Sequence, residues 1–122
     1  MKQKEATMSK KAVIYCRTAS EEQKGENLAL IRQIDMCLTV VKESDCLEVT
    51  QIIVDKGISN IDRRQFRLMK LLKTLKTGNI KTLVTYDTYR LSRNYEDYSE
   101  FKELLDVEEI EPYYCSSRLM RN

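Results

Sequence analysis

Two apolar periodicities alternate along this chain, and their order restricts the possible folds more than any other feature. Ala12-Val13-Ile14-Tyr15-Cys16 is a short continuous apolar run, as in a strand buried on both faces. Ser20-Glu21-Glu22-Gln23 then has the capping-box form. Leu28, Ile31, Ile34, Leu38 and Val41 recur at helical spacing, which predicts a helix to about Glu43 whose first turns Gly25 weakens. Val49 to Val54 reads as a second strand, closed by Asp55-Lys56-Gly57. Asp62 can cap a second helix with Phe66, Met69, Leu72 and Leu75 along one face, ended by Gly78-Asn79. Ile80 to Tyr86 is a third strand. Asn94 caps a third helix, with Glu96 and Asp97 in its first turn and Tyr98, Phe101 and Leu105 towards the core. Ile110 to Cys115 is the last strand, and Pro112 within it predicts a sheet edge. This alternation predicts an α/β fold: a mainly parallel sheet of four or five strands with helices on both faces.

At 122 residues the chain holds one domain. Residues 1–10 read as a polar, flexible tail and residues 11–122 as the folded domain. No stretch reaches the roughly 20 apolar residues of a membrane span, and Met1 to Lys11 lacks the apolar segment of a secretory signal, so the cytoplasm is expected. The four cysteines (Cys16, Cys37, Cys46, Cys115) include no C-x-x-C pair and read as reduced structural thiols. No histidine occurs, which excludes a Cys/His zinc site and every histidine-activated nucleophile. Chemistry here must run on Arg, Asp, Glu, Ser, Tyr or Lys.

In a sheet of this kind, sites form at the carboxyl ends of the strands. Those ends carry Arg17, Asp55 and the segment from Asp87 to Arg93. Arg17, Arg90 and Arg93, joined by Arg63, form a constellation suited to a phosphate, because the guanidinium fork donates paired hydrogen bonds and keeps its charge. The alternative is that each arginine pairs privately with Asp55, Asp62 or Asp87. Charge is also segregated. Nine basic residues and one acid lie between Arg63 and Arg93, while eight acids and one lysine lie between Glu96 and Glu111. Arg64, Arg67 and Lys70 are therefore candidate contacts to a nucleic-acid backbone, against the alternative of two solvated helices of opposite bias.

With these residues in place the chain resembles the catalytic domain of the serine recombinases of the resolvase/invertase family. The resemblance runs from Lys11 to Cys115. It rests on Val13-Ile14-Tyr15-Cys16-Arg17, Glu22-Gln23, Asp55-Lys56-Gly57-Ile58-Ser59, Asp62-Arg63 and Arg90-Leu91-Ser92-Arg93-Asn94, in that order. It implies metal-free and cofactor-free DNA breakage and rejoining through a phosphoserine link, by dimers or tetramers. Arg17 matches the arginine beside the nucleophile, Arg90 and Arg93 the pair on the scissile phosphate, and Arg63, Asp55 and Gln23 further site positions.

Several positions depart from that pattern. The nucleophilic serine position holds Ala19, the acid expected before Arg90 is Tyr89, and a glutamine expected early in the first helix falls at Ile31. The long C-terminal helix that carries the family's dimer contact would begin near Ser116, so most of it, and any DNA-binding domain, is expected to be lacking. Ser20 has two readings: a replacement nucleophile, or the cap of the first helix. The resemblance thus implies either a recombinase domain with impaired cleavage or a non-catalytic relative that binds DNA or pairs with an active recombinase.

Overall fold

A computed structural model describes residues 10–18, 24–44, 46–56, 61–91 and 94–116, apart from the side chains of 24–27, 61–64 and 89. The elements run β1 (Lys10–Arg17), α1 (Lys24–Glu43), β2 (Leu47–Asp55), α2 (Ile61–Thr77), β3 (Thr82–Thr85), a 3-10 turn (Thr88–Arg90), α3 (Tyr95–Val107) and β4 (Glu111–Tyr114). Four strands form one sheet in the order β2-β1-β3-β4, and every pairing is parallel. β1 begins at Lys10, one residue inside the segment expected to be tail.

Strand alternation sorts the core into two layers. Ala12, Ile14, Cys16 and Val84 pack with Cys37, Val40 and Val41 of α1 on one face. Val13, Tyr15 and Leu83 pack with Leu68, Leu71, Leu72 and Leu75 of α2 and Phe101 and Leu105 of α3 on the other. Helices therefore cover both faces, as right-handed crossovers require once the strand order reverses at β1. Asn94 caps α3 as expected, its side chain accepting from the Asp97 N–H at 2.8 Å.

Two helix faces differ from the expected ones. In α1, Leu28, Ile31 and Leu38 are exposed, and the buried face is Gln33, Cys37, Val40 and Val41. In α2, Phe66 and Met69 are exposed, and Leu68, Leu71, Leu72 and Leu75 are buried. For α2 the cause is geometric. The expected run 66, 69, 72, 75 has a constant spacing of three, which drifts about 60° around the helix at each step and cannot hold one face. The set 68, 71, 72, 75 has the i, i+3, i+4, i+7 spacing that does.

Both sheet edges carry protection against stray pairing. Ala12 pairs with Val49 but Val13 with Gln51, so Thr50 is the extra residue of a bulge in β2. The other edge, β4, contains Pro112, as expected.

Both α2 and α3 end in the same six-residue motif. Asn79 (φ 55°) and Glu109 (φ 59°) take left-handed backbone. The Ile80 N–H donates to Leu75 O and the Asn79 N–H to Lys76 O; likewise Ile110 donates to Leu105 O and Glu109 to Asp106 O. These are Schellman closures, each placing a buried isoleucine just past the helix. Asparagine tolerates that conformation, whereas a glutamate strains against its own Cβ. Glu109→Gly is expected to stabilise the fold by about 0.5–1 kcal/mol. Thermal unfolding checks this, and a lower melting temperature would contradict it.

Candidate active site

The strand order reverses at β1, since β2 lies on one side of it and β3 on the other. In open parallel sheets ligands bind beyond the carboxyl ends of the strands that flank such a reversal, here β1 and β3. Arg17 ends β1. Thr85 ends β3 opposite Tyr15, and its Oγ1 donates to Tyr15 O at 2.7 Å. The chain then turns through Tyr86 and Asp87 into the 3-10 turn, closed by Arg90 N–H to Asp87 O (3.2 Å) and Leu91 N–H to Thr88 O (3.0 Å). Leu91 is fully buried and anchors this turn in the α2–α3 core, which fixes the level of Arg90 above β3.

A connected polar network lies beneath. Asp55, at the end of β2 and in register with Arg17, is buried. Its Oδ1 accepts from Arg67 Nη1 at 2.7 Å and its Oδ2 from the Tyr15 hydroxyl at 2.5 Å. Both are charge-assisted bonds of the stronger class. Arg17 Nη2 in turn donates to the Tyr15 oxygen at 3.3 Å. Burial pushes the Tyr15 phenol far above its ordinary value; the Arg17 charge opposes that rise and Asp55 adds to it. Tyr15 therefore stays neutral, donating to one side and accepting from the other, and does not serve as an anionic nucleophile.

Gln33 holds the Arg17 backbone from above. The Arg17 N–H donates to Gln33 Oε1 at 3.4 Å, and Gln33 Nε2 donates to Arg17 O at 3.2 Å. This side chain is buried, while Ile31, the position expected for a site glutamine, is 59% exposed. The glutamine facing the site is thus two residues further on. Its signal is phase: Gln33, Cys37 and Val40 share one helix face. Gln33→Leu is expected to cost about 1–2 kcal/mol by leaving the buried Arg17 amide without its partner. Urea denaturation measures this, and unchanged stability would contradict it.

Three buried polar atoms among the described residues lack hydrogen-bond partners: Arg17 Nε, Arg90 Nε and Asp87 Oδ1. Arg90 Nη1 stands 3.8 Å from Asp87 Oδ1, too long for a hydrogen bond, and the guanidinium lies over the Tyr86 ring at 5.6 Å. Private ion pairing is thus realised closely for Arg67 with Asp55 and more loosely for Arg90 with Asp87. Asp55 is occupied by Arg67 and Tyr15, and Arg17 has no carboxylate partner among the described residues. The Cys16 thiol is lowered, first by hydrogen bonding with Cys37, against which burial works, and to a smaller extent by the Arg90 charge. Arg17 ends β1 and Arg90 follows the neighbouring β3, and guanidinium groups are suited to donate to an oxyanion.

The other expected site residues divide into two groups. Ala19, Ser20, Gln23, Ser92 and Arg93 lie outside the described residues, as do the side chains of Arg63, Arg64 and Tyr89. Arg67, a candidate backbone contact, engages Asp55 and supports the network. Lys70 is exposed and lines a cleft of about 210 Å³ between β2 and α2, with Gln51, Asp55 and Arg67. The basic α2 and acidic α3 lie on the same face of the sheet, joined by Lys76 and Glu108 at 3.4 Å. None of the four cysteines is in a disulfide; Cys115 Sγ lies 3.4 Å from Cys37 Sγ in the core and Cys46 is exposed. Among the described residues no acidic, Cys or His cluster can hold a metal, and no helix is long and apolar enough to cross a membrane.

Residues 12–119 match the family model described as resolvase, N-terminal domain. Several solved structures share the fold. The N-terminal catalytic domain of TP901-1 integrase is 25% identical, with a TM-score of 0.73 over 88% of this chain and 79% of that one. The C-terminal catalytic domain of ISC1926 TnpA, an IS607-like serine recombinase, is 24% identical, with a TM-score of 0.69 over 86% and 68%. A serine recombinase from Sulfolobus solfataricus is 21% identical, with a TM-score of 0.65 over 88% and 69%. No curated protein gives a significant match.

Proposed function

The chain belongs to the resolvase N-terminal domain family, and on that premise we propose that it is a serine-recombinase-type domain for site-specific DNA recombination whose own strand cleavage is impaired. The observation that carries this reading is the pair of buried, unpartnered Nε atoms of Arg17 and Arg90 at the carboxyl ends of the two central strands. A DNA phosphodiester is the ligand proposed for these strand ends, with Arg63 and Arg93 completing the cationic set and Arg64 and Lys70 of α2 tracking the flanking backbone.

In the full reaction a serine Oγ attacks phosphorus, the P–O3′ bond breaks, and the hydroxyl proton ends on the leaving 3′-oxygen. The arginines stabilise the extra negative charge on the five-coordinate phosphorus without reorganising. The phosphoserine ester retains the bond energy, so religation needs no nucleotide. Position 19 supplies no hydroxyl, because it is alanine. Cleavage then falls to the neighbouring Ser20 or is lost. Loss leaves a phosphate-gripping domain that binds DNA in the cytoplasm and associates with itself or with an active recombinase; the combination of Ala19 with retained Arg17 and Arg90 favours this second reading.

Supercoiled plasmid incubated with the native chain and with Ala19→Ser separates the outcomes. The proposal expects covalent protein–DNA adducts from Ala19→Ser and none, or very few, from the native chain. Abundant native adducts that vanish in Ser20→Ala would move the nucleophile to Ser20 and overturn the impairment.

A further inference from the structure

We propose that Cys37 and Cys115 form an intramolecular disulfide when the chain meets hydrogen peroxide, a covalent latch between α1 and the edge strand β4. The proposal is independent of the DNA reading. Three cysteines from three separate elements are gathered in one core layer: Cys16 from β1, Cys37 from α1 and Cys115 just past β4. Cys115 Sγ lies 3.4 Å from Cys37 Sγ, in contact and not bonded. A disulfide bond is about 2 Å long, so the two sulfurs need only close by a little over an ångström. A core cysteine ordinarily packs among aliphatic side chains and is inert. Cys37 instead touches thiols on two sides.

That arrangement orders the chemistry. Hydrogen bonding with Cys115, then with Cys16, raises the Cys37 thiol, and burial adds to the rise. Cys37 therefore keeps its proton and enters the reaction second. All three thiols are fully buried, which excludes bulky oxidants and admits one of nearly water's size on local opening. Cys115 Sγ attacks one peroxide oxygen, the O–O bond breaks, and the departing hydroxide takes the thiol proton as water. Cys37 Sγ then attacks the resulting sulfenic sulfur, the S–O bond breaks, and the Cys37 proton leaves with that oxygen as a second water. Two thiols lose two electrons in all, and one peroxide gains them. The bond spans 78 positions of sequence. It also fixes the helix that holds the site: Gln33, which clamps the Arg17 backbone, lies one turn before Cys37 on the same buried face.

The full chain, treated with millimolar hydrogen peroxide, is alkylated in denaturant and digested with trypsin. The expected product joins peptide 33–42 to peptide 103–118, and dithiothreitol reverses it. The melting temperature of the oxidised chain should rise by about 5–10 °C, because the cross-link constrains the unfolded state. Cys46→Ser, which removes the exposed thiol, and Cys16→Ala should both keep the link, and Cys37→Ala should abolish it. Cys37 and Cys115 left reduced while Cys46 is oxidised overturns the proposal. So does a link of peptide 12–17 to peptide 33–42 in its place, or a Cys37–Cys115 link that forms only in urea.

Discussion

Restoring a hydroxyl at position 19 is expected to convert a chain that leaves DNA intact into one that becomes joined to it. The gain in adduct yield should be about a thousandfold or more, the scale of restoring a missing nucleophile to a site whose electrostatics survive. Three features support this expectation. The Arg17 backbone is already clamped by Gln33, and Arg17 Nη2 already donates to the Tyr15 oxygen. Arg90 is set on a turn anchored by the buried Leu91. The Nε atoms of Arg17 and Arg90 have no hydrogen-bond partner. In the Ala19→Ser background, Arg90→Ala should lower the yield by about 10²–10³, as for loss of one oxyanion donor. Adducts formed equally well without Arg90 would contradict the assignment of that residue.

The largest expected effect on stability is at Asp55. Its carboxylate accepts from both Arg67 and Tyr15, and the side chain is only 6% exposed. Asp55→Ala leaves the Tyr15 phenol buried without an acceptor and Arg67 without its counter-charge. Removing one partner of a buried pair costs about 3–5 kcal/mol. Arg67 is 35% exposed, so water recovers part of its solvation, and the lower end, about 3 kcal/mol, is expected. Asp55→Asn keeps an acceptor for Tyr15 and should cost less. Arg17 should also lose order, because it reaches Asp55 only through Tyr15. Urea denaturation of both variants checks the ranking, and an Asp55→Ala chain as stable as the native one would contradict the network.

Much of this architecture was legible because it is written in short-range patterns. The buried run from Ala12 to Cys16, the Asn94 cap and Pro112 at an edge each depend on neighbours within a few residues. The placement of Arg17 and Asp55 at the ends of β1 and β2, with Arg90 after β3, followed from strand alternation alone. The helix phases were harder to read, because α1 and α2 carry apolar residues on two faces. Leu28, Ile31, Phe66 and Met69 compete with the true core face, and only the packed sheet decides between them. Gln33 and Arg67 were hidden for a related reason. Their partners, Arg17 and Asp55, lie 16 and 12 residues away, and the phase that Gln33 shares with Cys37 and Val40 becomes readable only once the buried face of α1 is known.

If Arg17 and Arg90 together receive a phosphate, as proposed, their Nε–H groups report on it directly. Arginine side-chain ¹H–¹⁵N resonances, assigned by Arg17→Lys and Arg90→Lys, can be followed while a short duplex or inorganic phosphate is added. The Arg17 and Arg90 Nε–H signals are predicted to shift together and saturably, with that of Arg67 nearly still because Asp55 already holds it. Shifts confined to Arg67, or unmoved Arg17 and Arg90 signals while the α2 residues respond, would contradict the claim.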